Sequence, residues 1–137
     1  MRNSEHGAIA FLYGLDGQKR KICGEMELLV LAGKAAGFAP ASFNRIDVGW
    51  YDSSRGLIGS WDPMEDDGDA FRLLSQLRLD LEQNTTSESG ESWVCVSGHG
   101  HSVMQEFRSE PSRIVATRRA IVQVAAQIGL SLEEGAR

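Results

Sequence analysis

Cys95, His99 and His101 carry the most metal-seeking chemistry in the sequence. Thiolate and imidazole are the usual zinc ligands, and one Cys with two His is a possible zinc set. All three are odd-numbered, so an unbroken strand would turn them to one face. No fourth ligand is evident, and Gly98 and Gly100 make a turn there. The structural alternative is a core cysteine beside exposed turn histidines. A Cys–His nucleophile pair can also be drawn from Cys95 with His99 or His101. Nothing nearby supplies an oxyanion loop or an orienting residue.

Asp62, Glu65, Asp66, Asp67 and Asp69 form the most acidic stretch, in DPMEDDGD. A calcium loop needs oxygen ligands alternating ahead of a glycine at its sixth position. Counting back from Gly68 puts Pro63 first and Glu65 third, so the pattern fails. A two-metal phosphoesterase would need further carboxylates from other strands. The alternative is structural: carboxylates at a helix start satisfy orphan N–H groups and complement the dipole, with Asp66 or Asp67 as the cap.

Charge is unevenly placed along the chain. Segment 107–130 holds four Arg (Arg108, Arg113, Arg118 and Arg119) and one Glu, a net of +3. Segment 52–91 holds three Arg and ten acids, a net of −7. The basic face is suited to gripping a phosphate-bearing ligand. The acidic one suits a basic protein partner. Two such faces can equally solvate the domain and pair with each other. Trp50, Tyr51, Trp61 and Trp93 fall on strand candidates, where aromatics either stack on bases beside arginines or fill a core. No nucleophile elbow, P-loop, dinucleotide fingerprint or HExxH is present.

The elements that must position these residues follow from periodicity. Leu28, Leu29, Leu31, Ala32, Ala35 and Ala36 make an apolar helix face in Glu27–Phe38, with Gly37 as the stop. Arg45–Tyr51 alternates as a strand, with Ile46, Val48 and Trp50 on one face. Gly56–Trp61 follows it across a short turn, as an antiparallel hairpin. Ala70, Leu73, Leu74 and Leu77 recur at helical spacing, and alternation from Leu79 starts a strand. Trp93–Ser97 and Val103–Phe107 flank the GHGH turn. A last helix starts near Pro111, and Gly129 is expected to end it, with a polar tail at 133–137.

Residues 1–25 differ from the rest. Two readings stay open: an extension upstream of a start at Met26, or an ordered hairpin strand AIAFLY added to a sheet. The apolar stretch Ala8–Leu15 precedes the basic run Lys19–Lys21, the reverse of a secretory signal. No run reaches the roughly 20 apolar residues of a membrane span. Two cysteines are too few for a disulfide scaffold. A cytoplasmic protein is expected. The 137 residues, 42% apolar and 24% charged, fit one globular α+β domain. The net charge of −5 argues against a generally basic nucleic-acid binder.

Two stretches bear a resemblance. Trp61–Leu79, WDPMEDDGDAFRLLSQLRL, and Ala116–Gly129, ATRRAIVQVAAQIG, resemble the phage ABA sandwich domain, a family of small phage and prophage proteins. The helix ELLVLAGKAAGF resembles that family's first helix. The similarity spans about residues 26–130, and the 26–132 segment is taken as the domain. It departs in residues 1–25 and in the loop and GHGH turn of 84–102. The resemblance implies a layered αβα sandwich, with one mostly antiparallel sheet of 4–5 strands and about three helices. It implies no catalytic residue. An acid of the DDGD motif reaching Arg118 or Arg119 would explain why the two motifs occur together.

Three functions are compatible with these features. The leading one is a phage- or prophage-encoded accessory protein that acts by binding in the bacterial host. It would block a host immune protein or sequester a charged, nucleotide-like ligand, as counter-defence. Its candidate residues are Arg108, Arg113, Arg118, Arg119, Trp50, Trp61, Asp62, Glu65, Asp66, Asp67 and Asp69. The second is a metal-dependent phosphoester hydrolase using the acids with Cys95, His99 and His101. The third is a homo-oligomeric structural or replication part. No cofactor is expected, and neither membrane insertion nor direct nucleic-acid binding.

Overall fold

The computed structural model describes residues 8–41, 49–84 and 92–135. Among the described residues the chain is α+β, with three helices and eight strands in three small antiparallel sheets. The single sheet of 4–5 strands is therefore corrected. Helix α1 falls between the first and second sets of strands in the chain, and α2 between the second and third.

Strands β1 (Ala10–Tyr13) and β2 (Lys19–Ile22) form a hairpin with Ala10 opposite Ile22 and Tyr13 opposite Lys19. Alternation puts Ala10, Leu12 and Ile22 in the core. The AIAFLY segment thus lies in a separate two-stranded sheet.

Helix α1 (Glu25–Ala36) starts with Glu25 and Glu27 in its first turn, where carboxylates complement the dipole. Gly37 ends it at φ 83°, its N–H reaching the Gly33 and Lys34 carbonyls. That left-handed closure is the expected glycine stop. The chain leaves directly into β3 (Phe38–Pro40), which pairs with β4 (Trp50–Asp52), which in turn pairs with β5 (Gly56–Gly59). The expected hairpin is present but shorter than Gly56–Trp61. Ile46 and Val48 lie outside the described residues.

Helix α2 (Asp67–Gln76) is capped by Asp66, whose side chain accepts from the Asp69 N–H. Arg78, at φ 55°, turns the chain into β6 (Asp80–Gln83). Strands β7 (Ser92–Gly98) and β8 (His101–Phe107) complete the third sheet in the order β6–β7–β8. The β7–β8 turn has two residues, His99 at φ 55° and Gly100 at φ 83°. Positive φ at both positions is the turn whose twist matches a tight hairpin.

A 3-10 turn (Glu110–Ser112) leads into α3 (Arg113–Gly135). This helix packs on α1, α2, β1 and one face of β7 and β8. Val122, Val124, Ala125, Ala126 and Leu130 along it are fully buried. The expected stop at Gly129 is corrected: the helix continues to Gly135, through the start of the expected polar tail. Gly129 instead marks where α1 and α3 touch backbone to backbone. A Cβ there would lie 1.8 Å from the Leu31 carbonyl oxygen.

The first hairpin is tied to α3 through a buried amide. Gln127 Oε1 accepts from the Tyr13 N–H at 2.7 Å, and its Nε2 donates to the Tyr13 carbonyl. Both halves of the amide are thereby satisfied inside the core. Glu134 accepts from the Leu15 N–H at 2.7 Å.

Candidate functional site

The acidic loop is closed by its own backbone. Asp62 Oδ1 accepts from Met64 N–H at 3.1 Å, and Asp66 Oδ2 from Asp69 N–H at 2.8 Å. Asp69 Oδ2 accepts from Asp62 N–H at 2.9 Å, returning to the start of the loop. Its other oxygen takes Arg72 Nη2 at 2.8 Å. Three of the five candidate acids therefore hold the loop and start α2. Burial pushes the Asp62 carboxyl above its ordinary value, partly offset by its bond from Met64. Glu65 stands exposed.

Arg118 joins the loop from the other motif. Its Nε donates to the Met64 carbonyl at 2.8 Å, and Nη1 donates to Asp67 Oδ1. The Arg118 side chain is 12% exposed and that of Asp67 is 68% exposed. The guanidinium is thus a buried clamp between α3 and the loop.

The four arginines do not converge. Arg113 gives Nε and Nη2 to the Glu110 carboxylate at 2.9 and 3.0 Å, and Nη1 to Gln83 Oε1 at 3.0 Å. It also lies 4.7 Å over the Phe107 ring. Its hydrogen bond holds the Glu110 carboxyl below, and the Arg113 guanidinium above, their ordinary values. Arg119 borders a separate hollow of about 100 Å³ with Leu28 and Met64. Arg108 is exposed between β8 and the 3-10 turn. Arg113 and Arg118 are engaged by partners within the chain, whereas Arg108 and Arg119 are exposed.

Trp50 and Trp61 are core rather than stacking platforms, being 0% and 5% exposed. Their rings meet edge-on at 4.8 Å, and Phe38 meets Trp61 at 5.2 Å. Gly33 makes room for them, since a Cβ there would lie 2.9 Å from the Trp50 ring. Trp50 Nε1 is buried and finds no acceptor among the described residues.

Cys95 and His101 lie on opposite faces of the third sheet. Cys95 is opposite Met104, whereas His101 is opposite Gly98 and shares the face of Val94 and Val96. Residues directly opposite one another share a face. The two-residue turn therefore inverts the odd–odd parity that grouped the three residues. Cys95 Sγ instead lies 3.4 Å from Ser102 Oγ, and His99 Nε2 donates to the Leu77 carbonyl at 2.8 Å. Burial, then His99, keeps His101 below the ordinary imidazole value. Among the described residues no three His, Cys, Asp or Glu side chains are placed to hold a metal.

A cleft of about 270 Å³ lies between β5 and α2. Arg55, from the β4–β5 turn, and Arg72, from α2, stand on its walls with Ser60 and Gln76. Phe38, Ile58, Trp61 and Leu73 supply its apolar surface. Arg55 Nε donates to Asp52 at 2.7 Å, leaving most of that guanidinium's five donors beyond this bond. A bond from the Ser54 N–H, and then Arg55, holds the Asp52 carboxyl low. The Arg72 bond to Asp69 fixes that guanidinium beside the cleft in the same way. Among the described residues of the wall, Asp69 is the one carboxylate.

Sequence reasoning did not single out Arg55 or Arg72. Both sit in the segment whose net charge of −7 obscured them. The available signal was spacing: Asp52 with Arg55 and Asp69 with Arg72 are i,i+3 pairs. No helix among the described residues is long and apolar enough to cross a membrane. No family model, no curated protein and no solved structure matches this chain.

Proposed function

We propose that this chain acts by binding, and that the cleft between β5 and α2 takes a small anion bearing a flat or apolar group. A nucleotide-like phosphate ester has that chemistry. The observation that carries the proposal is the placement of Arg55 and Arg72 over an apolar wall to which Phe38 and Ile58 contribute half-buried side chains. Guanidinium forks pair with phosphate oxygens, and the apolar wall takes the uncharged part of the ligand. Each guanidinium is already oriented by an aspartate, which lowers the ordering cost of binding.

A phage- or prophage-encoded accessory protein with a counter-defence role in the bacterial cytoplasm belongs to the same proposal. The resemblance of the DDGD and ATRRAIV stretches supports that setting. A layered αβα sandwich belongs to the same proposal, and α3 lying against β7 and β8 supports one of its helix layers.

Calorimetric titration of the full chain with a mononucleotide, and with inorganic phosphate, tests the proposal. The mononucleotide is expected to bind more tightly than phosphate. Arg55→Ala with Arg72→Ala is expected to weaken it at least about tenfold, for two lost charge-assisted contacts. Absence of binding by either anion, or binding indifferent to the double substitution, rejects the cleft.

A further inference from the structure

Strand β8 leaves one edge of the third sheet without a partner strand among the described residues. Its free backbone groups can be assigned. Asn84 N–H donates to the Trp93 carbonyl, so Trp93 faces β6 with its backbone. Backbone direction alternates along a strand. Ser92, Val94, Val96 and Gly98 therefore bond toward β8, to Phe107, Gln105, Val103 and His101. Ser102, Met104 and Glu106 are left with N–H and C=O groups pointing outward.

Natural edges are blunted by Pro, Lys, bulges or shortness. Strand β8 has seven residues, HSVMQEF, with no Pro, Lys or bulge and a single charged residue, Glu106. Its register with β7 is unbroken, and Met104 is 57% exposed.

The opposite edge differs. By the same alternation β6 presents Leu81 and Gln83 outward. The self-pairing that uses both would set Glu82 directly against Glu82 of a second copy, and facing like charges are destabilising.

We propose that β8 pairs antiparallel with β8 of a second copy of this chain, with Met104 opposite Met104 at the two-fold axis. That register uses all three outward residues, forming about six inter-chain backbone hydrogen bonds. It sets Glu106 opposite Ser102 of the other copy, so no like charges face each other across the join. A register centred on Glu106 would oppose the two carboxylates. Registers centred on Val103 or Gln105 pair only two outward residues within the strands. The isologous contact joins two three-stranded sheets into one six-stranded sheet. It uses none of the cleft residues, so it stands or falls separately from the ligand.

Sedimentation velocity of the full chain over a micromolar-to-millimolar series is the test, in the range suited to a small interface. A concentration-dependent dimer is expected. Met104→Pro removes only an outward N–H, because that residue donates nothing to β7, and is expected to weaken dimerisation at least about tenfold. Ser102→Glu places like charges opposite each other twice, and is expected to weaken it severalfold. Adding Glu106→Lys to Ser102→Glu is expected to restore it. Ser102 is exposed, so this pair decides the matter even if Met104→Pro does not fold. A monomer throughout the series overturns the proposal. So does a dimer unaffected by Ser102→Glu, whether its contact lies elsewhere or is in another register.

Discussion

Gly129→Ala is expected to destabilise this protein, although in an isolated helix the same change stabilises. Gly129 is interior to α3, where alanine is favoured over glycine by about 1 kcal/mol. Against that gain stands the α1–α3 contact. The added Cβ would lie 1.8 Å from the Leu31 carbonyl oxygen, 2.8 Å from its carbonyl carbon and 3.4 Å from Ala35 N. Real Cβ atoms essentially never come within 3.0 Å of another heavy atom. The obstructing atoms are backbone, so no side-chain rotation relieves the clash. The helices must separate by roughly 1 Å, and a gap of that size forfeits a quarter to a half of each dispersion contact it opens. Leu28, Ala32, Ala125 and Ala126 are among the buried residues of these two helices. Overpacking typically costs about 1–3 kcal/mol, and loosened neighbours add to it. Subtracting the helix gain leaves an expected net loss of about 1–2 kcal/mol, or roughly 5 °C in Tm for a chain of this length. Urea denaturation followed by circular dichroism measures it. Leu132→Ala, at a position 53% exposed on the same helix, serves as the control and should change stability by under about 0.5 kcal/mol. A Gly129→Ala protein as stable as the parent, or more so, would show that α1 and α3 do not approach this closely.

Further outcomes follow from the loop that Arg118 clamps. Arg118→Ala should cost about 1–3 kcal/mol, because it removes the donor to the Met64 carbonyl as well as the ion pair. Asp67→Ala should cost under about 1 kcal/mol, the Asp67 side chain being 68% exposed. Exchanging the two charges should recover only the ion-pair part, since an aspartate at 118 cannot donate to that carbonyl; full recovery in a double-mutant cycle would contradict this. Asp62 yields a pH dependence. Its folded pKa is raised, so its favourable contribution is complete below about pH 4 and is lost as pH rises through the folded value. Asp62→Asn keeps an oxygen for Met64 N–H and should equal or exceed the parent at pH 7, with that advantage fading on acidification. Asp62→Ala should fall below both, and a flat Asp62→Asn difference from pH 3 to 7 would contradict the assigned burial effect.

Elements set by neighbours in sequence were legible before any fold was known. Gly37 ends α1 because only glycine enters the left-handed region without strain. Asp66 starts α2 because its carboxylate reaches an N–H three residues on. An acid of the DDGD motif was expected to reach Arg118 or Arg119, and the pair that forms is Asp67 with Arg118.

What tertiary structure alone decided has a common cause: each depends on which surfaces meet. Gly129 looked like a helix stop because sequence registers a missing side chain, not the Leu31 carbonyl that occupies its place. Cys95, His99 and His101 looked convergent because parity holds only within one strand. A two-residue turn pairs Gly98 with His101, and so exchanges odd for even across the hairpin. Arg55 and Arg72 lie 17 positions apart in an acidic segment, and only the packing of α2 beside β5 brings them to one cleft. Periodicity specifies which face of an element is apolar; the partner of that face is chosen by the packing of the whole chain.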